Sequence, residues 1–166
     1  GCDQDHQRMR KGVVDLRQDD PRRTVDRHAA QQELERTLVA IGGPVIIVAH
    51  SAGVMTVVHW AQRASRPIQG ALLATPADME TSMPAGYPTV EQLDSNGWLP
   101  IPRQRLPFPS IVTASSNDPL AQLERARNFA QSWGSRFVEL GAVGHLNPAS
   151  GYGEWPQAMD LIRELG

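Results

Sequence analysis

The apolar positions of this chain follow two alternating rhythms. Val45 to Ala49, "VIIVA", is a continuous and largely β-branched run, the pattern of a strand buried on both faces of a parallel sheet. "VVDL" at 13–16, "GALLAT" at 70–75, Ile111 to Ala114 and Arg136 to Leu140 read as further strands. Between them the spacing changes to that of helices. Ala30, Leu34, Leu38 and Ile41 recur along Arg27 to Ala40, with Thr24 or Asp26 as the cap and Gly42-Gly43-Pro44 as the stop. Residues 52–64 carry apolar side chains around most of their circumference, which predicts a deeply packed helix ended by Ser65-Arg66-Pro67. Leu120 to Trp133 and Trp155 to Leu165 complete the helices, with Pro156 in the first turn of the last one. Strands that alternate with helices predict an α/β fold with a mostly parallel sheet and helices on both faces.

Residues 76–109 break the rhythm. They hold Pro76, Pro84, Pro88, Pro100, Pro102, Pro107 and Pro109, with one short helical stretch near Thr89 to Asn96. Two readings stand side by side: a long excursion over a binding site, or a surface loop stiffened by proline. Trp98, Leu99, Ile101 and Phe108 either line a binding pocket or anchor this loop, and anchoring is the simpler role.

Composition narrows the function classes. The chain has 166 residues with 40% hydrophobic and 20% charged, which suits one globular domain over 1–166. A net charge of −2 with scattered arginines lacks the basic footprint of a nucleic-acid binder. The sequence has neither a membrane-length apolar run nor a signal-peptide pattern. The single cysteine, Cys2, allows no intrachain disulfide or zinc cluster, and a cytoplasmic location is expected.

The chemistry centres on "VAHSAG". Ser51 falls where a buried strand turns into a buried helix, at the carboxyl edge of the sheet where α/β proteins bind ligands. The nucleophile-elbow pattern is Gly-x-Ser-x-Gly, and here Ala49 replaces the first glycine while Gly53 keeps the second. The competing reading is a serine that merely caps the helix. A serine hydroxyl needs a base, and the base an orienting acid, in the chain order Ser, acid, His on this kind of fold. Downstream of Ser51 lie only His59 and His145. His59 is two turns along the same helix and cannot return to the elbow. His145 lies in "GAVGHLNPASGYG", just after a strand, where Gly141 and Gly144 permit close backbone approach. The acid is expected after an intervening strand. Asp118 in "ASSNDP" leads, Asp78 competes, and a turn or cap role for Asp118 is compatible with either outcome. His50 is adjacent to Ser51 but points away from it, so a structural role is expected. The Ala52 N–H is the first oxyanion donor.

"VAHSAG", "ASSNDP" and "GHLNPASGYGEWP" together resemble the YdeN-like family of small serine hydrolases in the α/β-hydrolase superfamily, over roughly residues 11–166. The resemblance implies an α/β-hydrolase three-layer sandwich, with Ser51 as nucleophile, Asp118 as acid and His145 as base. It implies a cytoplasmic enzyme without metal or organic cofactor, acting on a small ester or other acyl substrate, with amides and peptides as less certain substrates. An acyltransferase would differ only in its acceptor. The chain departs from the family at its start. An apolar strand and a Pro-Gly loop are expected there, yet the sequence opens "GCDQDHQRMRKGVVDL". That strand normally lies beside the nucleophile strand, and its loop supplies the second oxyanion donor, a role that would fall to Gly1, Cys2 or Asp3. Three arrangements accommodate the departure: a shortened chain, a sheet that closes up with Val13 to Leu16 moving inward, or a strand supplied by another chain. A rival class follows from the same departure: a binding module that keeps the fold without turnover and recruits a partner through 76–109. Oligomeric state is left open.

Overall fold

Local signals start most of the elements. In the computed structural model, which describes residues 12–16, 25–151 and 154–166, Asp26 caps the first helix by accepting a hydrogen bond from Ala29 N at 3.1 Å. This helix, α1, spans Arg27–Ala40 and buries Leu34 and Leu38. Thr24, the other expected cap, lies outside the described residues. The strands are β1 (Gly12–Leu16), β2 (Val45–His50), β3 (Gly70–Ala74), β4 (Ser110–Ala114) and β5 (Arg136–Glu139). The other helices are α2 (Ala52–Ala61), α3 (Val90–Ser95), α4 (Leu123–Trp133) and α5 (Gln157–Leu165).

Among the described residues five strands form one parallel sheet in the order β1-β2-β3-β4-β5. Right-handed crossovers between strands in simple sequential order place every connecting helix on the same face. Leu34 and Leu38 of α1, Val54, Met55, Val57 and Val58 of α2, and Phe129 and Trp133 of α4 accordingly share one apolar cluster with Val45, Ile47, Leu73 and Val112. The last helix follows the last strand and covers the opposite face. Leu161 of α5 packs with Leu72 and Ile111, against Val48, Val138 and Trp155. These are the three layers expected of the fold.

Beside β2, the strand that leads into Ser51, stands β1, with Val13 opposite Ile46 and Leu16 opposite Ala49. Among the described residues, β1 is the strand next to β2 on the side away from β3.

Several boundaries differ from the sequence expectation. Residues 62–64 lie outside α2, which ends at Ala61. The helix expected from Leu120 begins at Leu123, because Pro119 and Leu120 belong to a turn closed by Leu120 N on Asp118 Oδ1 at 2.8 Å. The last helix begins at Gln157 rather than Trp155, and Pro156 precedes its first helical residue.

The proline-rich segment is tied down rather than loose. Thr89 and Gln92 form a reciprocal capping box on α3. Trp98, Ile101, Leu106 and Phe108 enter the main core, and Trp98 Nε1 donates to Val25 O at 2.8 Å. The anchoring role therefore describes Trp98, Ile101 and Phe108, and Leu99 packs partly buried against the same core. Arg125 of α4 holds the start of the segment. Its Nε and Nη2 donate to the two oxygens of the buried Asp78 at 2.8 and 3.0 Å, and Nη2 also donates to Glu80 at 2.9 Å. Burial pushes the Asp78 carboxyl up, but the hydrogen bonds and charge of Arg125, with Thr81, bring it below the usual carboxylate range. No helix among the described residues is long and apolar enough to cross a membrane.

Candidate functional site

Three strand ends converge on Ser51. The chain leaves β2 at His50 and turns so sharply that Ser51 takes φ 58° and ψ −121°, a backbone conformation that non-glycine residues rarely hold. The turn is held by Ser51 N donating to Ala74 O of β3 at 3.1 Å. The Ser51 side chain makes no capping hydrogen bond to α2, although it occupies the cap position. Its Oγ lies instead 2.7 Å from His145 Nε2.

His145 is 3% exposed and hangs from the loop after β5. Its Nδ1 lies 2.9 and 3.0 Å from the two carboxylate oxygens of Asp118, which follows β4. A carboxylate only accepts, so the Nδ1 proton points to Asp118, and Nε2 of the neutral ring is left to accept from the Ser51 hydroxyl. Both members of the His145–Asp118 pair have side chains at most 4% exposed. A hydroxyl, an imidazole and a buried carboxylate in series are the groups that can generate a serine nucleophile and hold the resulting imidazolium.

The other candidates go elsewhere. Asp78, the competing acid, is engaged by Arg125 and Thr81. His59 donates from Nε2 to Trp98 O at 2.9 Å, and burial pushes its pKa down against the pull of that hydrogen bond. Ala52 is the first residue of α2, where N–H groups lack intrahelical partners and carry the positive end of the helix dipole. Gly1, Cys2 and Asp3, proposed for the second oxyanion donor, lie outside the described residues, as does His6.

A shell of polar side chains not singled out from sequence fixes the 143–145 backbone. Ser115 Oγ accepts from Val143 N at 3.1 Å, Asn117 Oδ1 from Gly144 N at 2.7 Å, and Ser150 Oγ from His145 N at 3.0 Å. The signal for them is the density of small polar residues in "SSND", directly after β4, and in "NPAS", just past His145 in the loop that follows β5. Gly144 (φ 61°) lies so close to Ser150 that a β-carbon there would come within 2.7 Å of Ser150 Cβ. Gly141 also has positive φ, at 77°.

Known proteins carry the same frame. A YdeN-like hydrolase from Pectobacterium atrosepticum SCRI1043 superposes with a TM-score of 0.71 at 28% identity, covering 86% of this chain and 70% of that one. The ydeN gene product of B. subtilis gives 0.66 at 18%, covering 81% and 72%. A monoacylglycerol lipase from Paleococcus ferrophilus gives 0.61 at 13%, covering 85% and 75%, a likeness of fold. No curated protein matches the chain. The serine hydrolase family model matches residues 5–164, a span that includes all three strand ends around Ser51. By this match the chain belongs to the serine hydrolase family, and its fold is that of the α/β hydrolases.

Proposed function

We propose that the chain hydrolyses a small carboxylic ester through an acyl-enzyme, with Ser51 as nucleophile, His145 as general base and acid, and Asp118 as the orienting carboxylate. The observation that carries this reading is the 2.7 Å approach of Ser51 Oγ to an imidazole whose other nitrogen is engaged by a buried carboxylate.

In the first step His145 Nε2 takes the hydroxyl proton as Ser51 Oγ attacks the ester carbonyl. The Ala52 N–H stabilises the oxyanion that develops. The imidazolium then gives its proton to the departing alcohol oxygen as the ester C–O bond breaks. In the second step water attacks the acyl-serine, again losing its proton to His145, and the serine is restored with release of the acid. Asp118 keeps the Nδ1 proton facing inward and stabilises the charged ring throughout. Every group named is a side chain or main-chain amide, so the sequence of steps needs no metal or organic cofactor.

The test is labelling with a fluorophosphonate probe, with folding followed by circular dichroism. Wild-type protein is expected to label and Ser51→Ala to remain unlabelled. Folded wild-type protein that does not label, or equal labelling of the two, overturns the reading.

A further inference from the structure

The carbonyl of His145 receives two side-chain donors from two different strand ends. His50 Nε2 lies 2.8 Å from His145 O, and Thr75 Oγ1 lies 3.3 Å from the same atom. A carbonyl only accepts, so Nε2 of His50 carries the hydrogen. His50 is the last residue of β2, and Thr75 follows the last residue of β3. The two strands pair in register at this edge, with His50 opposite Ala74. The His50 and His145 rings also meet, with centroids 4.9 Å apart and planes tilted by 49°.

The surrounding backbone is unusual on both sides of this contact. Thr75 has φ 40°, an outlier for a β-branched residue, and is 1% exposed. Leu146, immediately after the base, has φ 54°. Positions of this kind persist only where the surroundings over-determine them, and they concentrate at functional sites. Here the left-handed Leu146 accompanies a His145 carbonyl turned towards the sheet edge. The outlying Thr75 backbone accompanies a hydroxyl that meets that carbonyl. With Ser150 on the N–H, both main-chain polar groups of His145 are held by side chains.

We infer that His50 and Thr75 form a clamp on the His145 carbonyl, which sets the reach of the imidazole to Ser51. They are positioning residues: neither touches the reacting atoms, and they act through the base. The inference rests on the proposed role of His145 and extends it to the residue that precedes the nucleophile. Its physical basis is that proton transfer depends steeply on geometry, and a misplacement of about 1 Å can cost on the order of 100-fold in rate.

The test compares Thr75→Val and His50→Phe, which remove the donors, with Thr75→Ser and His50→Gln, which restore one. Steady-state hydrolysis of p-nitrophenyl acetate, fluorophosphonate labelling rates and the downfield proton NMR signal of His145 Nδ1–H are read together with the thermal midpoint. The clamp predicts that Thr75→Val and His50→Phe lose about 10- to 100-fold in kcat. KM stays near the wild-type value, the downfield signal broadens and the midpoint is little changed. Thr75→Ser and His50→Gln recover most of the rate. Wild-type kcat and a wild-type signal in folded Thr75→Val overturn the clamp, as does a kcat loss that Thr75→Ser fails to rescue. Ser51→Ala separates the two proposals. If it labels like wild type, the nucleophile reading fails, and the NMR signal, measured in the Ser51→Ala background with and without Thr75→Val, still decides whether the clamp orients His145.

Discussion

One oxygen of Asp118 serves two donors: Oδ1 accepts from Leu120 N at 2.8 Å and from His145 Nδ1 at 2.9 Å. The residue is both a turn former and the partner of the imidazole, because a carboxylate oxygen has lone pairs for both. The first hydrogen bond orients the carboxyl group from within its own loop, before the distant histidine loop is considered.

Asp118→Asn is therefore expected to keep the turn and to lose the function proposed for the carboxylate. The amide oxygen still accepts from Leu120 N, but it no longer stabilises an imidazolium, and the neutral amide favours the wrong tautomer. A fall of roughly 10³- to 10⁴-fold in kcat is expected, with an unfolding midpoint near that of the wild type. Steady-state kinetics on p-nitrophenyl acetate beside a thermal melt check both halves. Loss of less than tenfold would remove Asp118 from the role.

Gly144→Ala addresses the histidine loop. The new β-carbon meets Ser150 Cβ at 2.7 Å, in a backbone conformation with φ 61° that side chains rarely adopt. Relief requires Ser150 to move, and Ser150 Oγ holds the N–H of His145. The expected outcome is a stability loss of roughly 1–3 kcal/mol together with a fall in kcat of about 100-fold. The double variant Gly144→Ala/Ser150→Gly removes the clash but keeps alanine at positive φ, so it should recover stability only in part and should not recover full activity. Urea unfolding and ester hydrolysis provide the two readings.

Asp78→Asn tests the anchoring of the proline-rich segment. Removing one partner of a buried ion pair is costly, and because the Arg125 side chain is 33% exposed the expected destabilisation is about 2–3 kcal/mol, below that of a fully buried pair. The pH dependence has a defined sign. The Asp78 carboxyl titrates below its ordinary range in the folded protein. Its contribution is thus present above the unfolded value of about 4 and is lost as pH falls through the lowered folded value. Glu80 shifts in the same direction, with burial opposing and Arg103 leading the shift. Wild-type stability should fall steeply below about pH 4, and Asp78→Asn should show a shallower fall. Equal acid slopes in melts across that range would contradict the assignment.

The sheet, the helices and the elbow at Ser51 were legible in the sequence because their signals are local. β-Branched runs mark strands buried on both faces, Leu34 and Leu38 mark a helix face, and a serine between a strand and a helix has few places to be. The choice between Asp118 and Asp78 was not local. Both follow strands at similar spacing, and the difference lies in Arg125, on a helix 47 residues beyond Asp78, which engages one of them. The helix start at Leu123 was missed because the Asp118–Leu120 hydrogen bond competes with helical geometry just after Pro119.

By itself the sequence determined the alternation of elements, the order of serine, acid and histidine along the chain, and the family these residues resemble. All of these follow from periodicity and from short motifs. Tertiary structure alone decided which strand lies beside β2, since pairing is a matter of non-local hydrogen bonds between Gly12–Leu16 and Val45–Ala49. It also decided that His50 faces the carbonyl of His145, 95 positions away. No local pattern encodes that contact, because it exists only where the edge of β2 and the loop after β5 come to the same end of the sheet.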